Sequence, residues 1–248
     1  MSAIVEFRDV CYRVPQKQIL RGVSFQVEAG ETLALVGRSG SGKTTIVKLV
    51  NGLLLPTSGE VRVEGRATSH WDLIRLRRGI GYVIQEVGLF PHLTVARNVG
   101  VVPRLEGWDE PKIAGRVAAL LEAVGLEPEH FAQRYPRALS GGERQRVGVA
   151  RALAADPPIL LFDEPFGSVD PVTRLELQRQ FLALRRTLGK TSIFVTHDIR
   201  EALLVGTRVG LLVEGRLEVL APPAEFIRSG NAEARTFLAS LEWRREEG

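Results

Sequence analysis

Apolar and polar residues alternate over residues 4–12 and again at Val23, Phe25 and Val27, the period of two expected of half-buried strands. Pro15-Gln16-Lys17-Gln18 predicts the turn between them. The pattern then changes. Thr32-Leu33-Ala34-Leu35-Val36, Ile159-Leu160-Leu161-Phe162 and Ser192-Ile193-Phe194-Val195-Thr196 are short runs of almost unbroken apolarity, which predict strands buried on both faces. Residues 60–63 alternate into a Glu64-Gly65 turn, Ile80 to Ile84 predict a strand ending at Gln85, and residues 208–219 predict a hairpin through Glu214-Gly215.

Helical periodicity occupies the intervals. Residues 45–50 follow one such run. Val117, Leu120, Leu121 and Val124 recur at i, i+3, i+4, i+7, and Leu177, Phe181, Leu184 and Leu188 form a second stripe. Residues 234–243 predict a closing helix. Between Leu89 and about Glu127, Phe90-Pro91-His92, Val102-Pro103 and Gly107-Trp108 read as breaks in a helical insertion. The expected fold is α/β: a phosphate-loop NTPase core with a mixed sheet, an N-terminal antiparallel β subdomain and an inserted α-helical subdomain. The expected boundaries are 1–88 and 156–230 for the core, 89–155 for the helical part and 231–248 for the C-terminal helix.

Composition alters this picture little. The chain has 248 residues and a formal net charge of +4, which permits contact with nucleic acid or an anionic membrane face without requiring either. Its single cysteine, Cys11, rules out an internal disulfide and fits a reducing compartment. The first residues show no secretory leader, and no run approaches ~18 apolar residues. The expectation is a soluble protein that reaches a membrane only through a partner.

Chemistry concentrates where strands end. Gly37-Arg38-Ser39-Gly40-Ser41-Gly42-Lys43-Thr44 has the spacing G-x-x-x-x-G-K-[ST] between a buried strand and a helix. Its glycines let successive N–H groups face phosphate oxygens, Lys43 can reach the β- and γ-phosphates, and Thr44 can offer its hydroxyl to Mg²⁺. Asp163 and Glu164 follow an apolar strand; Asp163 fits a carboxylate supporting Mg²⁺, and Glu164 is placed to polarise an attacking water. Gln85 and His197 also close apolar strands, where ligands of open α/β sheets bind, although Gln85 alone reads equally as a loop amide. Leu139 to Arg146 open a helix. Ser140 and Glu143 have capping-box spacing, while Gly141 and Gly142 weaken a first turn and suit close approach of an anion. Asp170-Pro171 start another helix as N-cap and first residue. Tyr12 ends the first strand; alone it reads as a half-buried strand residue, with base stacking the alternative.

GRSGSGKTT at 37–45, LSGGERQRV at 139–147, ILLFDEP at 159–165 and THD at 196–198 together resemble the ATP-binding subunits of ABC transporters, over nearly the whole chain. The resemblance implies ATP and Mg²⁺ as ligands. It implies adenine stacking for Tyr12, phosphate and Mg²⁺ binding for Ser39, Gly40, Gly42, Lys43, Thr44 and Thr45, and contact with Mg²⁺ or the attacking water for Gln85. Glu164 would be the general base, His197 would hold the γ-phosphate side, and Ser140, Gly141 and Gly142 would close over ATP bound by a second copy. Asp170 would lie in the loop linking the two sites. Ser168-Val169-Asp170 departs from the family's more frequent Ala or Gly before Leu-Asp. A homodimer, transmembrane permease subunits and a substrate-binding protein are the implied partners, with no nucleic acid, at the cytoplasmic face of a membrane.

The segments 81–92, 98–108 and 134–136, Asp163 to Gly167 and 188–191 further resemble importers of quaternary amines such as glycine betaine, choline and carnitine. Many of those carry a C-terminal pair of regulatory domains, and the sequence ending soon after Trp243 sets an expectation of regulation without them. Amino-acid importers share several of these residues. An exporter motor, or a non-transport ATPase acting on nucleic acid through Arg75, Arg77 and Arg78, are the alternatives.

Overall fold

The structure is a computed structural model that describes residues 3–85, 87–167 and 169–242. In chain order it begins β1 (Ala3–Val14), β2 (Lys17–Glu28), β3 (Thr32–Val36), α1 (Lys43–Val50), β4 (Ser58–Val63), β5 (Arg66–Ala67), α2 (Leu73–Arg78) and β6 (Ile80–Val83). Helices follow: α3 (Val95–Val99), α4 (Val101–Leu105), α5 (Glu110–Ala123), α6 (Pro128–Phe131) and α7 (Gly141–Leu153). The rest alternates as β7 (Ile159–Asp163), α8 (Pro171–Leu188), β8 (Thr191–Thr196), α9 (Ile199–Val205), β9 (Arg208–Val213), β10 (Arg216–Ala221), α10 (Pro223–Phe226) and α11 (Ala232–Glu242).

These elements form two compact units, one of residues 1–76 with 191–248 and one of residues 77–190. The first contains an antiparallel sheet in the order β2-β1-β4-β5. Phe7 and Phe25 stack across β1 and β2 with centroids 4.4 Å apart, the cross-strand pairing that fixes register in a half-buried sheet. It also contains β10-β9-β3-β8, in which β9, β3 and β8 run parallel and β10 returns antiparallel. Every residue of β3 and β8 is buried, as continuous apolar runs require of parallel strands covered on both faces. Val36 pairs with Thr196, so the phosphate loop and His197 leave the same sheet edge side by side.

The second unit holds the parallel pair β6 and β7 and the helices α3 to α8. Val117, Leu120, Leu121 and Val124 are all buried, so the apolar stripe is a core face. Leu177 and Phe181 of α8 are buried as well; the Leu188 side chain lies outside the described residues, as does Trp243. One expectation fails here. Val102-Pro103 is no break, because Pro103 sits in the first turn of α4, where a missing N–H costs no intrahelical bond. Among the described residues, no helix is long and apolar enough to cross a membrane.

Candidate functional site

Residues 37–42 leave β3 and curl into α1. Gly42 is the N-cap at φ 108°, a left-handed conformation open to glycine, and a Cβ there would also stand 2.6 Å from Leu20. No side chain caps α1, and its first turn holds no acid. By contrast Thr94, Asp109, Ser140, Asp170 and Asp198 each cap the helix that follows them. The helix dipole favours an anion at this end of α1, which no side-chain cap or acid occupies. Lys43 is buried, and its Nζ donates to the carbonyls of Gly37 (2.8 Å) and Arg38 (3.1 Å), folding the ammonium into the loop. Ser41 is 5% exposed and its Oγ has no hydrogen-bond partner, a buried O–H donor of the kind a phosphate oxygen accepts from. Thr44 and Thr45 are half-buried in the first turn of α1.

A cleft of about 750 Å³ opens on this loop, with Arg38, Ser39, Gly40 and Ser41 along one side. The volume suits a ligand of nucleotide size. Tyr12 is half-buried on β1, paired with Leu20, and is not among the residues that line the cleft. His197 is exposed beyond β8. Behind it Thr196 Oγ1 donates to Glu201 Oε2 at 2.5 Å and accepts from the Asp198 N–H, so a buried carboxylate and hydroxyl hold the turn that carries the histidine.

In the second unit β7 delivers Asp163 buried and Glu164 half-buried. The Tyr82 hydroxyl donates to Asp163 Oδ2 at 3.3 Å; burial, and then the neighbouring carboxylate charge, push the phenol well above its ordinary pKa. Glu164 has φ 48°, an uncommon conformation for a residue with a side chain, costing on the order of 1 kcal/mol or more and characteristic of sites that aim a functional group. A Cβ on Gly167 would stand 3.7 Å from both Gln85 Nε2 and Glu164 Oε2, so these two side chains converge on one glycine. Mg²⁺ retains water and phosphate oxygens and needs only one or two protein oxygens. Within the second unit Gln85 and Asp163 carry hard oxygen donors of that kind, and the described residues hold no cluster of three or more His, Cys, Asp or Glu that could take a metal alone.

Ser140 caps α7 in a complete capping box: its Oγ accepts from the Glu143 N–H at 3.2 Å, and Glu143 Oε2 accepts from the Ser140 N–H at 2.6 Å. Gly142 has a packing reason as well as a functional one, since a Cβ there would overlap the Thr173 methyl of α8. Asp170 Oδ1 accepts from the N–H groups of Val172 (3.1 Å) and Thr173 (3.0 Å). The Thr173 hydroxyl, followed by these backbone donors, holds the Asp170 carboxyl below its usual range. Thr173 therefore joins the start of α7 to the loop carrying Asp170.

Two residues of the second unit escaped the sequence reading. Arg151 of α7 donates to the carbonyls of Val87 (2.6 Å) and Gly88 (2.8 Å), and its burial lowers the guanidinium pKa. It holds the segment just after Gln85. Asn98, fully buried, accepts from the Phe90 N–H and donates to the carbonyls of Phe90, Leu93 and Thr94, fixing the next turn. One arginine among three in α7 and an Asn-Val pair carry no signal of either bond. Of the three arginines that support a nucleic-acid role, Arg78 is engaged by the Leu105 carbonyl and Glu106.

The sequence profile of the ABC transporter family matches residues 20–167. The osmoprotectant import ATP-binding protein OsmV of Salmonella typhimurium is 48% identical, over 88% of this chain and 59% of that protein. The glycine betaine uptake system ATP-binding protein YehX of Escherichia coli is 42% identical, over 96% of this chain and 80% of that protein. A solved dimeric ATP-binding cassette, in a post-hydrolysis state with ADP and Pi bound, superposes with TM-score 0.79 at 34% identity, covering 88% of this chain and 98% of that one. The chain spans under three-fifths of the length of the first two relatives it matches, OsmV and a glycine betaine, carnitine and choline transport ATP-binding protein of Bacillus subtilis.

Proposed function

The chain belongs to the ABC transporter family, and from that premise we propose that it is the ATP-binding and ATP-hydrolysing subunit of an importer of quaternary-amine osmoprotectants such as glycine betaine or choline. The observation that carries the ATPase part is the uncapped start of α1 with buried Lys43 and the unpartnered Ser41 hydroxyl beside an open cleft. The substrate class rests on relatives named for osmoprotectant, glycine betaine, choline and carnitine transport.

In this reading Gly37, Ser39, Gly40, Ser41, Gly42 and Thr45 bind phosphate oxygens, and Lys43 leaves the loop carbonyls for the β- and γ-phosphates. Thr44 and Gln85 would hold Mg²⁺ with Asp163 behind them, and the ion would neutralise phosphate charge. Glu164 takes the proton of the attacking water, and its strained backbone fixes where the carboxylate points. His197 supports the γ-phosphate. Tyr12 stacks on adenine, a role taken from the resemblance. Ser140, Gly141 and Gly142 close over the γ-phosphate of ATP held by a second copy, and Asp170 links the two sites. The subunit would act at the cytoplasmic membrane face through permease subunits and a substrate-binding protein, with no nucleic acid. The core at 1–88 and 156–230, the helical subdomain at 89–155 and the C-terminal helix at 231–248 remain the proposed division of labour.

The test is ATPase activity of the chain reconstituted in vesicles with its permease and binding protein. Glycine betaine or choline is expected to stimulate hydrolysis, and Glu164→Gln to abolish turnover while ATP still binds. Stimulation by an amino acid alone would overturn the substrate class; unimpaired turnover in Glu164→Gln would overturn the assigned base.

A further inference from the structure

The cleft on the phosphate loop has a wall that no motif announces. Of about 750 Å³, the loop residues line one side, residues 17–19, 21 and 212–214 with both charged and apolar side chains line another, and two residues of the C-terminal helix, Glu233 and Phe237, complete it. That helix is fixed to its unit. The Asn231 side chain accepts from the N–H groups of Glu233 (2.9 Å) and Ala234 (3.0 Å), and Ala234 is fully buried. Arg38, the second residue of the phosphate loop, donates from Nε to Glu233 Oε1 at 2.8 Å. Residues 195 positions apart thus tie α11 to the loop. The tie also offsets the Glu233 carboxylate, which would otherwise oppose a polyanion beside the loop.

We propose that α11 is the nucleoside-side wall of the cleft, with Phe237 supplying apolar contact to the sugar or base of the bound nucleotide and the Arg38–Glu233 pair holding that wall to the phosphate loop. The inference rests on the ATP-binding reading above. The chemistry follows from what the loop leaves over. Backbone N–H groups and Lys43 answer the phosphates, but a nucleoside offers π faces and C–H edges, which an aromatic ring and aliphatic side chains complement. Tyr12, the aromatic that the resemblance assigns to adenine, does not line this cleft, whereas Phe237 does.

Calorimetric titration with ATP and with inorganic tripolyphosphate separates the two halves of the site. Phe237→Ala is expected to weaken ATP binding by roughly five- to tenfold, the equivalent of one aromatic contact, and to leave tripolyphosphate binding unchanged. Phe237→Leu, which keeps apolar bulk, is expected to recover most of the loss. Equal weakening of both ligands by Phe237→Ala would reduce Phe237 to a structural role and overturn the proposal. So would a loss confined to Tyr12→Ala with Phe237→Ala unaltered. If the unsubstituted chain binds neither ligand, the phosphate-loop reading itself fails, an outcome distinct from either.

Discussion

Two helices of this chain are proposed to meet phosphate, α1 that of its own nucleotide and α7 that of a second copy's, and they begin differently. α1 starts on Gly42 with no side-chain cap and no acid in its first turn, its lysine folded into the loop and a serine hydroxyl left unpartnered. α7 starts on Ser140 with both halves of a capping box made and Glu143 in its first turn. The first has the chemistry of an anion receptor. The second is complete as local structure, and an acid in its first turn opposes a phosphate arriving unaided. With its start complete, α7 would need another body to carry a phosphate to it, which is why a second copy of the chain is part of the proposal.

Several substitutions sharpen or break that contrast. Lys43→Ala carries the largest expected effect, a loss of ATP affinity or turnover of about a hundredfold or more, because it removes the one buried cation of the receptor. Nucleotide titration and a phosphate-release assay measure it; near-normal values would make α1 no different from α7.

Gly142→Ala should destabilise the second unit by about 1–3 kcal/mol through overlap with Thr173. Adding Thr173→Ser, which removes only the methyl, should recover most of it. Thermal unfolding of the single and double variants reads the coupling, and additive losses would mean that Gly142 is kept for another reason.

Arg151→Met leaves the carbonyls of half-buried Val87 and exposed Gly88 without their donor, at roughly 0.5–1.5 kcal/mol. Faster amide exchange confined to residues 87–92 is the expected sign. The smallest effect belongs to Asp170. Its carboxyl titrates below the ordinary 3.8 in the folded chain, so the cap of α8 is present above that value and is lost only as pH falls through the lower folded pKa. Amide shifts of Val172 and Thr173 should titrate with a midpoint below 3.8, and in Asp170→Asn they should not follow pH.

Much of this was legible before the structure. β3, β7 and β8 announce themselves because parallel strands covered on both faces need unbroken apolar runs. The phosphate loop is legible because few residues other than glycine accept its turns, and Ser140 with Glu143 because capping is a local rule. Pro103 misled because a proline in a first helical turn looks in sequence like one that ends a helix. The Arg151 clamp, the Gly142–Thr173 contact and the Arg38–Glu233 tie join residues 31 to 195 positions apart, and no local pattern encodes a partner at that separation.

The central claim is that Ser140 to Gly142 complete the site of a second copy. Light scattering on purified Glu164→Gln, with and without Mg-ATP, tests it most directly when paired with Glu164→Gln/Ser140→Arg. The account predicts that the single variant doubles its mass when ATP is added, and that the double variant binds ATP in its phosphate loop yet keeps the monomer mass. A double variant that dimerises with ATP as readily as the single one would contradict it.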